Sequence, residues 1–318
     1  MVELTEPKAI FTHESDLDGF VAGLLLQRLA EKLYEKEIPL YAYPVHAWRQ
    51  RRHEEPTAWV CDLAVNPTVD RPGWTLIDHH PLQHIPAQAT LIHSPHKSSS
   101  ALAYELCEEH GLSDERLARL ARLANVADLF LIEDPDFPEA SDYANLIKTY
   151  QFWSLYRLLD GKLDRLLDHP LLEVMAVKRR VEDPIGYAWS RASMQPITPQ
   201  VGYVETLVGN PNLILHRLLE DPQTPYEVLI TLARKASGVW VASLRSRNGQ
   251  AIRAAELLQG GGHPNAAAAA LPRSIRRLPE AIAYLKKVLA VSPPPAAAKH
   301  SLADLFEAWD QKEGAAGK

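Results

Sequence analysis

Three short apolar runs in the first eighty residues each lead straight into an acid or a histidine. Lys8–Thr12 runs into His13, Thr57–Asp62 closes on Asp62, and Trp74–Asp78 closes on Asp78 with His79 and His80 behind it. Runs of this length, rich in β-branched and aromatic residues, read as buried strands. Leu40–Val45 and Thr90–His93 supply two more. Between the first two lies Gly19–Tyr34, with Phe20, Leu24, Leu25, Ala30 and Leu33 at roughly helical spacing. Ser99–His110 and Asp114–Ala127 read as two further helices. Strands alternating with helices predict an α/β domain built on a mostly parallel sheet flanked by helices. Ligands bind such sheets outside the carboxyl ends of the strands. The polar residue that ends each run is therefore where chemistry is expected.

The chain has 318 residues, enough for two domains at about 100–200 residues each. Ala144–Val181 reads as helical, with Leu155, Leu158, Leu159, Leu163, Leu166 and Leu167 forming an apolar stripe. Asp183-Pro184-Ile185-Gly186 carries a turn signal. After it come short strands at Val201–Leu207, Tyr226–Ala233 and Val239–Leu244, and a helix at Leu213–Glu220. This predicts a catalytic domain over residues 1–184 and a smaller α+β domain over 185–292. Residues 293–318 are expected to form a Pro/Ala linker and one short helix, in which Leu302, Leu305, Phe306 and Trp309 would share a face.

The net charge of −6 argues against polyanion binding by the whole surface. The two cysteines, Cys61 and Cys107, are too few and too far apart for a disulfide scaffold or a zinc ribbon. No apolar stretch approaches the ~20 residues of a membrane helix, so a soluble, cytoplasmic protein is expected.

Four segments carry the candidate chemistry: His13-Glu14-Ser15-Asp16-Leu17-Asp18, Asp62, Asp78-His79-His80 and Asp128. Taken singly they have plain readings, since an Asp after a strand is a common helix cap and paired histidines suit a surface loop. Together at strand ends they would crowd four or more carboxylates into one crevice, which needs compensating charge. A pair of divalent cations supplies it. Mixed carboxylate and imidazole donors suit Mn²⁺ best, with Mg²⁺, Co²⁺, Fe²⁺ and Zn²⁺ as alternatives. Two such ions lower the pKa of a shared water and neutralise charge on a phosphoryl group.

The Asp78-His79-His80 triplet resembles the signature of the DHH phosphoesterases, with His13, Asp16 and Asp18 similar to the family's first motif, Asp62 to its second and Asp128 to its fourth. Gly260-Gly261-Gly262-His263-Pro264-Asn265-Ala266-Ala267 resembles the glycine-histidine motif of the DHHA1 domain that commonly follows, and Val239–Ser246 the strand before it. The resemblance covers roughly residues 8–290. It implies one metal on His13, Asp16 and Asp62 and a second on Asp18, Asp62, His79 and Asp128, with Asp62 bridging. It further implies that His80 faces the substrate phosphate and that Asp78 supports the histidine pair. The spacing His-x-x-Asp-x-Asp differs by one residue from the oligoribonuclease-like and archaeal RecJ-like patterns, and Glu14 is an adjacent rival to His13.

The second half is expected to hold substrate through Arg245, Gly260, Gly261, Gly262, His263 and Asn265, because exposed N–H groups of a glycine-rich loop form anion-binding concavities and Arg offers a planar fork. Ser98-Ser99-Ser100 opens a helix and could cap it or bind an anion. Arg49, Arg51, Arg52 and His53 beside Trp48 could track a nucleic-acid backbone, though a solvated loop is the plainer reading. Arg273, Arg276 and Arg277 are read the same way.

The function expected is hydrolysis of short oligonucleotides or phosphorylated nucleotides by a metal-bridging hydroxide attacking phosphorus. The alternatives are a RecJ-like single-strand exonuclease, a pyrophosphatase or exopolyphosphatase, and a cyclic-dinucleotide phosphodiesterase. A non-enzyme alternative is a nucleic-acid-binding protein with a silent site. The resemblance is also compatible with a homodimer.

Overall fold

The computed structural model describes residues 2, 4–235 and 237–290. It divides into two compact units, residues 1–180 and the chain from 181 onward. The C-terminal linker and helix expected over 293–318 lie outside the described residues.

The first unit is built on five parallel strands, β1 (Ala9–His13), β2 (Leu40–Tyr43), β3 (Ala58–Cys61), β4 (Trp74–Asp78) and β5 (Thr90–His93), in the order β2-β1-β3-β4-β5. Its helices are α1 (Leu17–Tyr34), α2 (Val45–Gln50), α3 (Ser99–Glu109), α4 (Glu115–Asp128), α5 (Phe137–Tyr150), α6 (Phe152–Leu158) and the start of α7 (Leu171–Ala192), with a 3₁₀ turn at Leu163–Leu166. β1, β3 and β4 are buried on both faces, which is why they read as unbroken apolar runs. Phe11, Val60, Trp74 and Leu76 pack with Trp48 of α2 in one core. The strand order reverses between β1 and β3, so the switch-point crevice opens at their carboxyl ends.

Close packing of α1 on β1 rests on two glycines one helical turn apart. A Cβ at Gly19 would stand 2.3 Å from the His13 carbonyl oxygen, and one at Gly23 2.8 Å from the Thr12 methyl. The Thr12 hydroxyl donates to the Gly19 carbonyl. The expected leucine stripe is buried at Leu155, Leu159, Leu163 and Leu166, but Leu158 is exposed. Cys61 and Cys107 are buried and free. No described helix is long and apolar enough to cross a membrane.

The second unit holds a six-stranded mixed sheet: β6 (Gln195–Pro196), β7 (Val201–Tyr203), β8 (Val228–Arg234), β9 (Trp240–Ser246), β10 (Gly261–His263) and β11 (Ala266–Ala270), ordered β10-β11-β9-β8-β7-β6. One core joins Val228, Ile230, Ala242 and Leu244 of the sheet to Ala251 and Ala255 of α9 (Gln250–Leu257) and to Ala281 and Leu285 of α10 (Leu278–Leu289). A second joins Leu229 to Ile214, Leu215, Leu218 and Leu219 of α8 (Pro211–Glu220).

The turn expected at Asp183–Gly186 does not form; all four residues lie inside α7. Their turn-like composition serves packing instead. The buried Asp183 carboxylate accepts the Asn210 N–H at 2.8 Å, and a Cβ on Gly186 would meet the Val208 carbonyl oxygen at 2.1 Å.

Candidate metal centre

His13 closes β1, Asp62 follows β3, and Asp78, His79 and His80 end and leave β4, so the sheet order alone brings them to one crevice. Asp16 and Asp18 stand at the start of α1, and Asp128 is the last residue of α4. His13 Nδ1 lies 2.7 Å from Asp16 Oδ2 and 3.4 Å from Asp62 Oδ2. His79 Nε2 lies 3.2 Å from Asp128 Oδ2 and 3.6 Å from Asp62 Oδ1. Three groups have donor atoms within 4.8 Å of one another: His13 with Asp16 and Asp62, Asp18 with His79 and Asp128, and Asp62 with His79 and His80. Asp62 is shared between two of these groups. None includes Glu14.

Each carboxylate is aimed by local structure. Asp16 caps α1, accepting the Gly19 N–H at 3.0 Å through Oδ1 while Oδ2 faces His13. Capping and clustering are thus two uses of one side chain. Asp62 has φ 55°, in the left-handed region that Asp and Asn enter more readily than other side chains. Buried Asp18 accepts the Ser99 N–H at 2.8 Å and the Ser100 N–H at 2.9 Å. The anion at the start of α3 is therefore the protein's own carboxylate, while the Ser98 hydroxyl caps the helix. Ser99 Oγ also approaches Asp62 Oδ1 at 3.5 Å. The sequence left this serine run as a helix cap or an anion site and gave no sign that Asp18 would face it.

Asp78 supports the histidines. Its Oδ1 accepts the His79 N–H at 2.9 Å, the His80 N–H at 3.3 Å and His80 Nδ1 at 2.8 Å. The His79 and His80 rings lie 4.3 Å apart, centre to centre.

The fit to cations rests on three buried atoms that lack hydrogen-bond partners: Asp62 Oδ2, His79 Nε2 and Asp128 Oδ2. They approach other site groups without hydrogen-bond geometry. A buried polar atom left unpaired is costly, and cations would satisfy all three. Without metal, protons compensate. Burial, then the Asp16 and Asp18 charges, push Asp62 well above the carboxylate range. Burial, then Asp18 and Asp62, do the same to Asp128. Burial works to lower His13, but the Asp16 and Asp62 carboxylates prevail and raise it to about 11.

Metal must displace these protons. Titrating metal-free protein with Mn²⁺ at neutral pH is expected to release on the order of 1–3 protons per chain, with affinity rising as pH rises. Calorimetry in buffers of different ionisation enthalpy measures this; a buffer-independent heat would contradict the arrangement.

The residues expected to hold substrate lie in the second unit. Arg245 sits in β9 with Leu229 of β8 and Ala266 of β11 as its register partners. Its guanidinium donates to the Leu244 carbonyl at 3.1 Å, and burial pushes its pKa down. The glycine run is not the open loop expected. Gly261 and Gly262 pair with Ala268 and Ala267 in the β10–β11 hairpin, and only Gly262 has positive φ, at 142°. Asn265 Oδ1 is occupied, accepting the Gly249 N–H at 2.7 Å and Ser246 Oγ at 3.2 Å. His263 closes β10 and is exposed.

The three glycines separate cleanly. A Cβ at Gly260 would lie 2.2 Å from the Ala268 carbonyl oxygen and one at Gly262 2.6 Å from that of Ala266, whereas Gly261 has open space. Gly260→Ala and Gly262→Ala are expected to cost about 1–3 kcal/mol by overpacking. Gly261→Ala should stay within about 0.5 kcal/mol of the parent. Denaturant melts of the three variants test the ranking.

The basic cluster near Trp48 is not a stacking platform. Trp48 is fully buried, with Nε1 donating to the Ala64 carbonyl at 3.3 Å. Arg51 lies over the Phe11 ring, 4.5 Å from its centre, and pairs with Glu55 through its two terminal guanidinium nitrogens.

No family model and no curated protein matches the sequence. Solved structures do. A RecJ exonuclease bound to manganese aligns over 95% of this chain and 94% of its own, at 16% identity and a TM-score of 0.55. A pGpG-specific phosphodiesterase from Vibrio cholerae aligns over 90% of this chain and 100% of its own, at 14% identity and 0.52. This chain shares their fold. An exopolyphosphatase-related protein from Bacteroides fragilis has it too, over 90% of this chain and 92% of its own, at 14% identity and 0.51.

Proposed function

We propose that this chain is a two-metal phosphoesterase of the DHH type, acting on short oligonucleotides or phosphorylated nucleotides, with Mn²⁺ as its preferred ion. The observation that carries the reading is that three buried atoms without hydrogen-bond partners, on Asp62, His79 and Asp128, all belong to the clustered ligand groups. His13, Asp16 and Asp62 would hold one ion, and Asp18, Asp62, His79 and Asp128 the other. When bound, the ions supply an activated water and neutralise charge on the phosphoryl oxygens.

The remaining work falls to the chain. Ser99 and Ser100 hold the Asp18 carboxylate in place through their N–H groups. Asp78 accepts a hydrogen bond from His80 Nδ1, so the ring meets substrate through Nε2. Burial works against a charged His80, but Asp78 raises its pKa overall, which suits a ring that donates a proton to a phosphoryl oxygen. Arg245, half-buried and without a carboxylate partner among the described residues, is suited to a substrate phosphate. The short-substrate reading is supported by the name of the Vibrio cholerae neighbour, whose substrate pGpG is a dinucleotide.

The test is hydrolysis by purified protein with Mn²⁺. The substrates are 5′-phosphorylated dinucleotides, long single-stranded RNA and DNA, 3′-phosphoadenosine 5′-phosphate and pyrophosphate. Fast turnover of the dinucleotide or the adenosine bisphosphate is the expected result. Preference for the long strand would replace it with an exonuclease, and pyrophosphate alone with a phosphoanhydride hydrolase. Oligonucleotide binding with no hydrolysis in any divalent ion would mean a silent site.

A further inference from the structure

The His79-His80 segment leaves β4 at the rim of the metal centre and is held at more than one point. Asp78 secures its amino side, accepting both backbone N–H groups and His80 Nδ1. The carbonyl side has a different partner. His93 Nε2 lies 2.8 Å from the His80 carbonyl oxygen. His93 is the last residue of β5, and the parallel register sets it beside Asp78. A carbonyl oxygen only accepts, so Nε2 carries the proton in this contact. That holds for the neutral ring and for the cation alike.

We propose that His93 is a positioning residue for His80. It donates Nε2–H to the His80 carbonyl and, together with Asp78, holds the His80 backbone at both its C=O and its N–H, so that the His80 ring meets the substrate phosphoryl group in one orientation. The proposal rests on the phosphoesterase reading above. His93 belongs to none of the three ligand groups, and its bond is to the backbone of His80, which the proposed function places against substrate, so its loss acts on orientation and leaves the proposed ligands of both ions in place. A displacement of about 1 Å at a reacting group is enough to cost on the order of 100-fold in rate.

The experiment compares the full chain with His93→Phe, which keeps a ring and removes the donor, and His93→Gln, which restores an N–H donor. His93→Phe is expected to lower kcat for the dinucleotide by about 10–100-fold, with KM within about 2-fold of the parent. His93→Gln is expected to recover most of that loss. A parent-like kcat in His93→Phe would overturn the proposal. So would equal losses in both variants, which would mean packing alone, or a raised KM with kcat unchanged, which would mean substrate binding.

A second readout does not depend on turnover. In ¹⁵N-histidine NMR of the metal-free protein, His93 should be protonated at Nε2, and the His80 signals should shift in His93→Phe and return in His93→Gln. His80 signals identical in parent and His93→Phe would overturn the clamp. If the parent hydrolyses no phosphoester while the NMR pattern holds, the functional reading fails and the clamp stands.

Discussion

Asp62→Asn should lower Mn²⁺-dependent hydrolysis of a phosphorylated dinucleotide by at least ~10³-fold, because it removes the carboxylate shared between two ligand groups. The same variant should make the metal-free protein more stable. Asn tolerates the left-handed backbone at this position, so the fold is not strained. The sign follows from linkage. Asp62 has a folded-state pKa well above the carboxylate range, so the folded state binds more protons than the unfolded state. Stability therefore falls as pH rises above the unfolded value of about 4 and towards the folded pKa. An amide has no such charge to lose. At neutral pH the metal-free variant is expected to melt roughly 2–4 °C above the parent. With Mn²⁺ present the order should reverse, since the parent gains more from binding. Calorimetric melts with and without Mn²⁺, beside the assay, test both halves. A variant that keeps activity, or melts below the metal-free parent, contradicts the placement of Asp62.

Gly19→Ala is the second large effect. Its Cβ would stand 2.3 Å from the His13 carbonyl oxygen and 2.8 Å from the His13 Cβ. Neither atom belongs to a flexible side-chain tip, so either α1 or His13 must move. The expected cost is about 3 kcal/mol, the upper part of the usual overpacking range. Because Asp16 and Asp18 ride on the same helix start, Mn²⁺ affinity should fall by about 10–100-fold. Gly23→Ala, one turn further on, meets the Thr12 methyl and a Leu40 methyl. The Leu40 methyl can yield, but Thr12 is held by its bond to the Gly19 carbonyl and its Cβ lies at 3.0 Å, so about 1–2 kcal/mol is expected there, with metal affinity near that of the parent. Equal effects at the two positions would show that α1 does not set the His13 geometry.

The parallel sheet was legible because β1, β3 and β4 are buried on both faces and so carry unbroken apolar runs. Their terminal residues mark the crevice in the sequence. Local chemistry misled at Asp183–Gly186, where Pro and Gly suited a turn but the segment stays inside α7, with Asp183 and Gly186 packed against Val208–Asn210. Helix α2 was missed because it is only six residues long and has no side-chain cap. α10 had a readable start in Pro279 and in Glu280, whose carboxylate accepts the Arg277 N–H at 3.2 Å. Ala266–Ala270 forms a strand against alanine's helical preference because pairing with β9 and β10 overrides it. In the site itself, contacts between side chains and distant backbone were invisible. Neither the Ser99 and Ser100 grip on Asp18 nor the His93 bond to His80 leaves a local pattern.

The ligand groups are drawn from separate stretches of chain, from His13 at the first strand to Asp128 at the end of the fourth helix. A pair of ions joining them would act as a reversible cross-link, closing several long loops at once. Such closure removes freedom from the unfolded chain, as a disulfide does, but without an oxidant. Chelation should then do more than stop turnover: it should shorten the lifetime of the first unit against proteases. With the proposed ions bound, the abundance of this protein in a cell would follow their supply.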